Sequence, residues 1–252
     1  MTRRELDLIV VVLVRARNPN NIGAAARAMH DFGFRHLRVV NEYVVPFESA
    51  RSAVDAAEVL ASAASFASVA DAVADCTAVV GTTAVGERAL QHPLYELPQA
   101  CKIIDEELGR GGGRVALLFG SEKTGLSNEE LSYCHWLLTI PMQQHEEMRH
   151  PSMNLGQAVA VCLYELVRQA DGLVVSASGD SVAAEAGEVE RLTALLTEVL
   201  EETGYARRHP ANCEEGQIRR LVLRMRLQAS DVPVWMGILR QILWKARGGG
   251  AG

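Results

Sequence analysis

One stretch of the chain decides its fold class, residues 115–127, with the sequence VALLFGSEKTGLS. The apolar run at 115–119 predicts a buried strand, and two glycines bound the polar loop that follows it. Ser127 and Glu130 have the spacing of a capping box, so a helix should begin after the loop. A strand, a glycine-bounded loop and a helix in this order indicate an α/β domain, in which ligands bind beyond the carboxyl ends of the strands.

The chain around this stretch alternates short apolar runs with helical segments as far as about residue 170. Such alternation predicts an α/β domain with a mainly parallel sheet. The strands are expected at 8–14, 36–40, 78–81, 115–119 and 136–140. The helices are expected at 22–32, 50–59, 69–75, 127–134 and 153–169, with Gly33 ending the first of them.

The last quarter of the chain has a separate organisation. Residues 172–187 are rich in Ala, Ser, Gly and Val, which is the composition of a linker. They divide the chain into an α/β domain over 1–171 and a helical extension over 188–252. Helices are expected in the extension at 188–203, 214–228 and 231–247.

The second helix of the extension is amphipathic. Its apolar stripe consists of Ile218, Leu221, Val222 and Met225. Four arginines occupy much of the remaining circumference, Arg219, Arg220, Arg224 and Arg226. Two interpretations stay open, a solvated face on a small bundle and a surface that contacts RNA.

Composition and charge narrow the possible classes of protein. Of the 252 residues, 48% are hydrophobic and 22% are charged, as in an ordinary folded domain. The apolar run at 6–14 is too short, and too charged at its flanks, for a signal peptide or a membrane span. The net charge of −6 is unfavourable for binding nucleic acid, although residues 188–252 carry ten Lys/Arg against eight Asp/Glu.

The cysteines and histidines form no metal-binding pattern. The five cysteines are isolated in the sequence, at Cys76, Cys101, Cys134, Cys162 and Cys213. Their odd number and the lack of a C-x-x-C pair argue against a disulfide framework or a zinc site, so a reducing compartment, the cytoplasm, is expected. His145 and His150 are one residue too far apart for the H-E-x-x-H metalloprotease motif, and no metal is expected.

Residues 15–29, with the sequence RARNPNNIGAAARAM, follow a predicted strand and open a helix. Asn20 or Asn21 is expected to cap this helix, which leaves the free amides of its first turn for a phosphate or ribose oxygen. Arg27 lies opposite the apolar side of the helix and should face solvent or a cleft. The alanines around it would allow another chain or a substrate to approach closely.

Two further segments exclude common ligands or suggest burial. Leu126 stands where a P-loop needs lysine, and no G-x-G-x-x-G follows the first strand, so neither a nucleoside triphosphate nor a dinucleotide is expected. The helix near 153–169 is apolar on nearly every side, which predicts burial in the core or against a second subunit. Ser152 is its expected N-cap, and Asn154 at its mouth is a polar residue that packing does not explain.

Three motifs in order resemble those of a known family. The first is N-x-G with arginine four residues later, at Asn21, Gly23 and Arg27. The second is G-S-E-x-x-G-L-S at 120–127, and the third is I-P-M followed by S-M-N-L, at 140–142 and 152–155. Together they resemble the SPOUT class of RNA methyltransferases, and within it the TrmH-like branch and its TrmJ group, whose members carry a helical extension.

This resemblance implies a SPOUT fold, a parallel sheet with a deep trefoil knot in the carboxyl-terminal half of the α/β domain. It implies a homodimer that uses S-adenosylmethionine to methylate a ribose 2′-hydroxyl in tRNA, with no role for DNA or a membrane. Cytidine or uridine at nucleotide 32 of the anticodon loop is the expected target. The alternatives are ribosomal RNA as substrate and a knotted RNA-binding module without catalysis.

The resemblance also implies roles for individual residues. The catalytic set would be Asn21, Arg27, Glu122, Ser152 and Asn154. The cofactor would contact Thr82, Thr83, Gly120, Glu122, Ile140, Met142, Ser152, Met153 and Leu155. RNA would contact Arg17, Arg27 and Arg88, although Arg88 also fits a solvated loop charge.

Arg27 is the residue with the sharpest expected role. A guanidinium group stays protonated and cannot readily accept a proton, so we expect Arg27 to stabilise the developing alkoxide and to hold the adjacent phosphate. Ser152, Asn154 and Glu122 would fix the geometry of the ribose and the loop. In the implied dimer, Arg27 of one subunit would meet cofactor bound by the other.

Overall fold

The computed structural model describes residues 3–41, 56–84, 91–110, 113–143, 153–169 and 182–248. Within these ranges, seven parallel strands form one sheet. The strands are β1 Ile9–Val14, β2 His36–Val40, β3 Ala64–Phe66, β4 Cys76–Thr82, β5 Leu94–Glu96, β6 Arg114–Phe119 and β7 Trp136–Thr139. Their order across the sheet is β3-β2-β1-β6-β4-β7-β5, so β6 lies at its centre with β1 beside it.

Helices accompany the sheet and continue beyond it. Those of the α/β part are α1 Arg3–Leu6, α2 Pro19–Phe32, α3 Ala57–Ala61, α4 Val69–Val73, α5 Leu97–Gly109, α6 Asn128–Leu131 and α7 Leu155–Gln169. Those of the extension are α8 Ala186–Glu202, α9 Tyr205–Arg208, α10 Glu215–Arg224 and α11 Asp231–Ala246. Over the described ranges, none of them is long and apolar enough to cross a membrane.

Strand β1 has an apolar core on each side. Successive side chains of a strand point to opposite faces of the sheet. The odd-numbered residues of β1 pack with α2, α5 and α7, and the even-numbered residues pack with α4 and α6. A strand buried on both faces needs a continuous apolar run, and every residue from 9 to 14 is at most 1% exposed.

The fold class predicted from the sequence is confirmed. All five expected strands are present, each within two residues of its expected ends. The edge strands β3 and β5 were not expected, because three residues are too few to show a period of two. The trefoil knot stays a prediction, because residues 144–152, which connect β7 to α7, lie outside the described ranges.

The helices differ more from expectation than the strands. Helix α5 was missed, although Pro98 in its first turn and its buried Ala100, Cys101, Ile104 and Leu108 carry the signal of an amphipathic helix. The helix expected at 50–59 lies largely outside the described ranges, and α3 covers its end. Gly33 ends α2 in the left-handed region with φ 83°, as expected.

The extension has its own small core and is joined to the α/β part through Arg219. Helices α8, α10 and α11 supply the core residues. Arg219 is only 3% exposed and donates to both carboxylate oxygens of Glu190 and, at 2.9 Å, to Ser132 Oγ. Its guanidinium group also lies 4.0 Å from the centroid of the Tyr133 ring.

The expected division of α10 into an apolar and an arginine side is therefore wrong at three positions. Arg219 is buried because carboxylate, hydroxyl and aromatic partners surround it. Leu221 and Met225 of the expected apolar stripe are 45% and 39% exposed, whereas Ile218 and Val222 are buried. The buried face of α10 is thus rotated, relative to the expected apolar stripe, toward the α/β part.

His135 links β4 to β7 just before β7 begins. Its backbone N–H donates to the carbonyl oxygen of Val79 at 2.8 Å, and its Nδ1 accepts from the Val79 N–H at 3.0 Å. Burial, together with the nearby charge of Arg226, lowers the pKa of His135 to about 4. The ring is therefore neutral at physiological pH and carries its proton on Nε2.

We expect the free energy of unfolding to fall as the pH is lowered from 6.5 to about 4. In this window the unfolded chain binds a proton at His135 and the folded chain does not, so protonation favours unfolding. His135→Asn keeps an acceptor for the Val79 N–H but cannot titrate, and its stability should vary less with pH. Urea unfolding of both proteins across the window measures the difference, and identical pH profiles would contradict the prediction.

Candidate functional site

The segments that follow β1, β6 and β7 meet at the carboxyl edge of the sheet. Strand β1 pairs with β6, with Leu13 opposite Phe119, so the chain leaving one strand lies beside the chain leaving the other. Strand β4 lies between β6 and β7. After β7 the chain continues to α7, and α7 packs against α2. In open parallel sheets, this edge is where ligands bind.

Three residues of the expected catalytic set are joined there by hydrogen bonds. Glu122 Oε1 accepts from Asn21 Nδ2 at 2.9 Å and from the backbone N–H of Asn18 at 3.4 Å. Asn21 Oδ1 in turn accepts from Asn154 Nδ2 at 3.0 Å. We call Asn21, Glu122 and Asn154 the polar triad.

The charge of Glu122 follows from its surroundings. Its partial burial tends to raise the pKa, but the hydrogen bonds from Asn21 and from backbone N–H groups outweigh burial and lower the pKa below its ordinary value. The carboxylate is therefore ionised and acts as an acceptor. It orients its neighbours and has little tendency to take up a proton.

The helix caps explain why these side chains face one another. Asn18, not Asn20 or Asn21, caps α2: its side chain accepts from the Asn20 N–H at 2.9 Å, and Pro19 takes the first helical position. The expected cap is wrong because proline already suits that first position, and Asn21 is left free to reach Glu122.

Helix α7 also has a different cap from the one expected. Asn154 Oδ1 accepts from the N–H groups of Gly156 and Gln157 at 3.0 and 3.4 Å, and α7 begins at Leu155. The expected N-cap, Ser152, lies outside the described ranges. The Oδ1 atom of Asn154 therefore caps the helix, and its Nδ2 atom makes the contact with Asn21.

The loop after β6 is held by tight backbone contacts and by an arginine that the sequence did not single out. A Cβ on Gly120 would lie 2.1 Å from the carbonyl carbon of Gly125, and Gly125 has φ +66°. The guanidinium group of Arg15 donates to both carboxylate oxygens of Glu130, at 2.6 and 2.9 Å, and to the Gly125 carbonyl at 3.0 Å. The expected capping box of Ser127 and Glu130 is confirmed.

The sequence carries one signal for Arg15, although it does not identify the partner of this arginine. Arg15 directly follows the end of β1, and Glu130 of the capping box has a second carboxylate oxygen to offer. The sequence alone does not reveal that these positions are neighbours, because they are 115 residues apart.

The expected cofactor residues lie along the same edge of the sheet. Thr82 Oγ1 donates to the Leu118 carbonyl at 2.9 Å, and the Thr83 N–H donates to the Leu138 carbonyl at 3.0 Å, so both residues tie the end of β4 to its neighbours. Five more that the structure describes are partly buried or buried, Gly120, Ile140, Met142, Met153 and Leu155, whereas Glu122 is exposed.

The three arginines expected to contact RNA are not part of the polar triad. Arg27 is exposed on α2, between one and two turns beyond Asn21, and makes no ion pair within the described ranges. Arg17 is also exposed, and Arg88 lies outside those ranges. The neighbouring Ala24 packs against Gly156, where an added Cβ would lie 2.5 Å from the Ala24 Cβ. The small side chain of Ala24 thus allows the close approach of α7 from the same molecule.

Comparison with known proteins assigns the family. A family model described as "SpoU rRNA Methylase family" matches residues 8–164. The chain belongs to the SpoU rRNA methylase family. One relative is the tRNA (cytidine/uridine-2′-O-)-methyltransferase TrmJ of Sodalis glossinidius, which is 35% identical to this chain over 246 residues. The alignment covers 94% of this chain and 92% of the relative. The protein of the same name from Yersinia enterocolitica is 32% identical over 244 residues, which cover 94% and 92% of the two chains. The resemblance to the TrmJ group is confirmed.

Solved structures extend the similarity beyond the α/β part. The crystal structure of TrmJ from Z. mobilis has a TM-score of 0.76 and 29% identity to the SpoU-family chain, and it covers 92% of this chain and 98% of that one. A structure described as concerning "the 2-OH methylation of C/U34 on tRNA" has a TM-score of 0.50 and 26% identity, and it covers 67% of this chain and 99% of that one. The first similarity therefore includes part of the helical extension.

Proposed function

We propose that this chain transfers a methyl group from S-adenosylmethionine to the ribose 2′-hydroxyl of a cytidine or uridine in tRNA. The observation that carries the proposal is the polar triad, held at the carboxyl edge of the sheet in a chain that is 35% identical to a TrmJ methyltransferase. Nucleotide 32 of the anticodon loop is the proposed target, as the resemblance to the TrmJ group implies. Nucleotide 34 and ribosomal RNA are the competing outcomes of the test below.

The residues at this edge suit S-adenosylmethionine. Partly buried apolar side chains, Ile140, Met142 and Met153, offer a surface for adenine, and the close contact between Gly120 and Gly125 leaves no room for a side chain at position 120. The ionised Glu122 at this edge favours a positively charged ligand. When bound, the cofactor supplies an electrophilic methyl group.

The polar triad positions rather than reacts. Glu122 fixes the Asn21 amide, and Asn21 fixes Asn154, so each side chain has a single orientation. Such rigidity holds the ribose oxygen in line with the methyl group, and positioning can supply a large part of the rate. Arg27 provides the charge that stabilises the oxygen as it loses its proton.

Asn154 allows positioning to be separated from folding. Asn154→Ala should destabilise the protein by about 1 kcal/mol through loss of the cap and should also lower methyl transfer to tRNA. Asn154→Ser keeps a capping oxygen, but its shorter side chain does not reach Asn21, so we expect normal stability with reduced activity. Urea unfolding and single-turnover methylation measure the two effects, and full activity in Asn154→Ser would remove Asn154 from the site.

The proposal includes a homodimer that completes the site. Tyr164 on α7 is 53% exposed, and its ring lies 6.1 Å from that of the partly buried Phe32 on α2. The two rings form an aromatic patch on α2, which carries Arg27, and α7, which Asn154 caps. A second copy of the chain is the proposed occupant of this patch, with Arg27 reaching the partner's site.

Mixed dimers test whether Arg27 acts across the interface. Arg27→Ala and Glu122→Gln proteins, each inactive alone, are exchanged into one dimer population. If Arg27 acts on the partner's triad, one site in each mixed dimer is intact and activity returns. If it acts within its own chain, every site carries a defect and the mixture stays inactive.

The activity itself is tested with tritiated S-adenosylmethionine and unmodified bulk tRNA, followed by nuclease digestion and mapping of the labelled nucleoside. We expect 2′-O-methylcytidine or 2′-O-methyluridine at nucleotide 32. Label at nucleotide 34 would correct the position, and label only in ribosomal RNA would correct the substrate. Binding of tRNA without any transfer would indicate a non-catalytic module.

A further inference from the structure

A cavity separates the end of α10 from residues 91–93 of the α/β part. Its volume is about 140 Å³. Six side chains that bear N–H groups line it, Gln91, His92, His135, Arg220, Arg224 and Arg226, and no carboxylate is among the described residues around it. The cavity is therefore a concentration of hydrogen-bond donors and positive charge.

The three arginines differ from their neighbour Arg219. Arg219 has two glutamate partners, whereas Arg220, Arg224 and Arg226 form no ion pair within the described ranges. The charge of Glu214 acts on Arg220, but the two side chains make no ion pair within the described ranges. The end of α10 offsets part of the mutual repulsion, because cations are favoured at a helix carboxyl terminus. The helix end does not, however, give the guanidinium groups a carboxylate with which to form hydrogen bonds.

The two histidines point to a missing hydrogen-bond partner. The Nε2 atom of His92 is buried and has no hydrogen-bond partner among the described residues. Burial and the charges of Arg220 and Arg224 lower the pKa of His92, so the ring is neutral. His135 carries its proton on Nε2, because its Nδ1 accepts from Val79. A buried polar atom without a partner is costly and rare, which indicates that a ligand belongs there.

We infer that this cavity binds one phosphate group of the RNA backbone, with the neutral His92 protonated on Nε2 and the phosphate oxygens accepting from the arginines and from this N–H group. The inference rests on the proposed function, since it supposes an RNA substrate. Guanidinium groups match phosphate geometry through paired hydrogen bonds, which suits a cluster of three. The site lies between the extension and the α/β part, so a bound phosphate ties both to the same RNA.

Arg226 gives the test its sharpest variant. It has φ 47°, in the left-handed region that disfavours residues with a Cβ. Arg226→Gly removes the guanidinium group and relieves this backbone strain, so its unfolding temperature should rise or stay unchanged. A loss of RNA binding in this variant cannot then be attributed to loss of structure.

The experiment measures binding of unmodified tRNA by the full-length protein at several salt concentrations, with S-adenosylmethionine binding and methyl transfer measured in parallel. Arg226→Gly and Arg224→Gln should each weaken tRNA binding by about tenfold and reduce the salt dependence by about one phosphate contact. Arg240→Gln, which removes an exposed arginine from α11, is the matched control and should bind as the wild type does. Cofactor binding should be unchanged in all three.

Each outcome decides a different question. If the wild type methylates tRNA but the two variants bind it as well as Arg240→Gln does, the phosphate site is wrong and the proposed function stands. If the wild type neither binds nor methylates tRNA, both proposals fail together. If inorganic phosphate raises the unfolding temperature of the wild type but not of Arg226→Gly, while tRNA affinity is equal in both, the cavity binds free phosphate and the RNA assignment is overturned.

Discussion

Arg27→Ala is expected to lower the rate of methyl transfer by about 100-fold to 1,000-fold, which is the usual loss when one donor to a developing oxyanion is removed. Because Arg27 is exposed and makes no ion pair within the described part of the chain, the variant should unfold at the same denaturant concentration as the wild type. Single-turnover assays with saturating cofactor and tRNA measure the chemical step directly.

Arg27→Lys is the matched variant. It keeps the charge but loses the planar pair of donors, so its rate should lie between those of the wild type and Arg27→Ala. A general base would behave differently, because lysine can accept a proton when deprotonated, and its rate would rise steeply with pH. Wild-type turnover in Arg27→Ala would remove this residue from the reaction altogether.

Arg219→Ala is expected to lower the free energy of unfolding by about 3 kcal/mol, the low end of the cost of breaking a buried ion pair. Burial alone would lower the pKa of Arg219, but the hydrogen bonds and charge of Glu190 outweigh burial and raise the pKa. The loss stays at the low end because Glu190 and Glu215 are 35% and 73% exposed and can be rehydrated. Ser132 and Tyr133 lose a buried partner.

Arg191→Ala serves as the control for Arg219→Ala. Arg191 is an exposed arginine on α8, one residue from Glu190, and its removal should change stability by less than about 0.5 kcal/mol. Urea unfolding followed by tryptophan fluorescence compares the two variants, since Trp235 and Trp244 lie in the extension and Trp136 lies in the sheet. Equal stability of both variants would show that Arg219 does not secure the extension.

The sequence predicts the centre of this fold better than its edges. Strands buried on both faces, such as β1 and β6, need long apolar runs that are visible without a structure. Strands β3 and β5 are short and partly exposed, and pairing with a neighbour stabilises them more than their own composition does. The position of Arg219 could not be predicted either, because Glu190 becomes its partner when α10 packs on α8, and Ser132 becomes its partner only when the extension packs on the α/β part.

The site was predictable as a set of residues but not as a geometry. The ordered motifs selected Asn21, Glu122 and Asn154, and the structure joins all three. The motifs could not show which atom of each side chain makes which contact. The Asn154 amide, for example, caps α7 through its oxygen and donates to Asn21 through its nitrogen. Arg15 was missed because its function depends on the register between β1 and β6.

The contacts that shape the site join parts of the chain made at very different times. Asn21 is separated from Glu122 by 101 residues and from Asn154 by 133. Such long loops must close before the contacts stabilise anything, which makes parallel sheets slow to assemble. During synthesis, β1 leaves the ribosome long before β6 exists to pair with it. The half-made chain therefore carries an apolar strand with one open edge, and it depends on protection from aggregation until its partner strand has been translated.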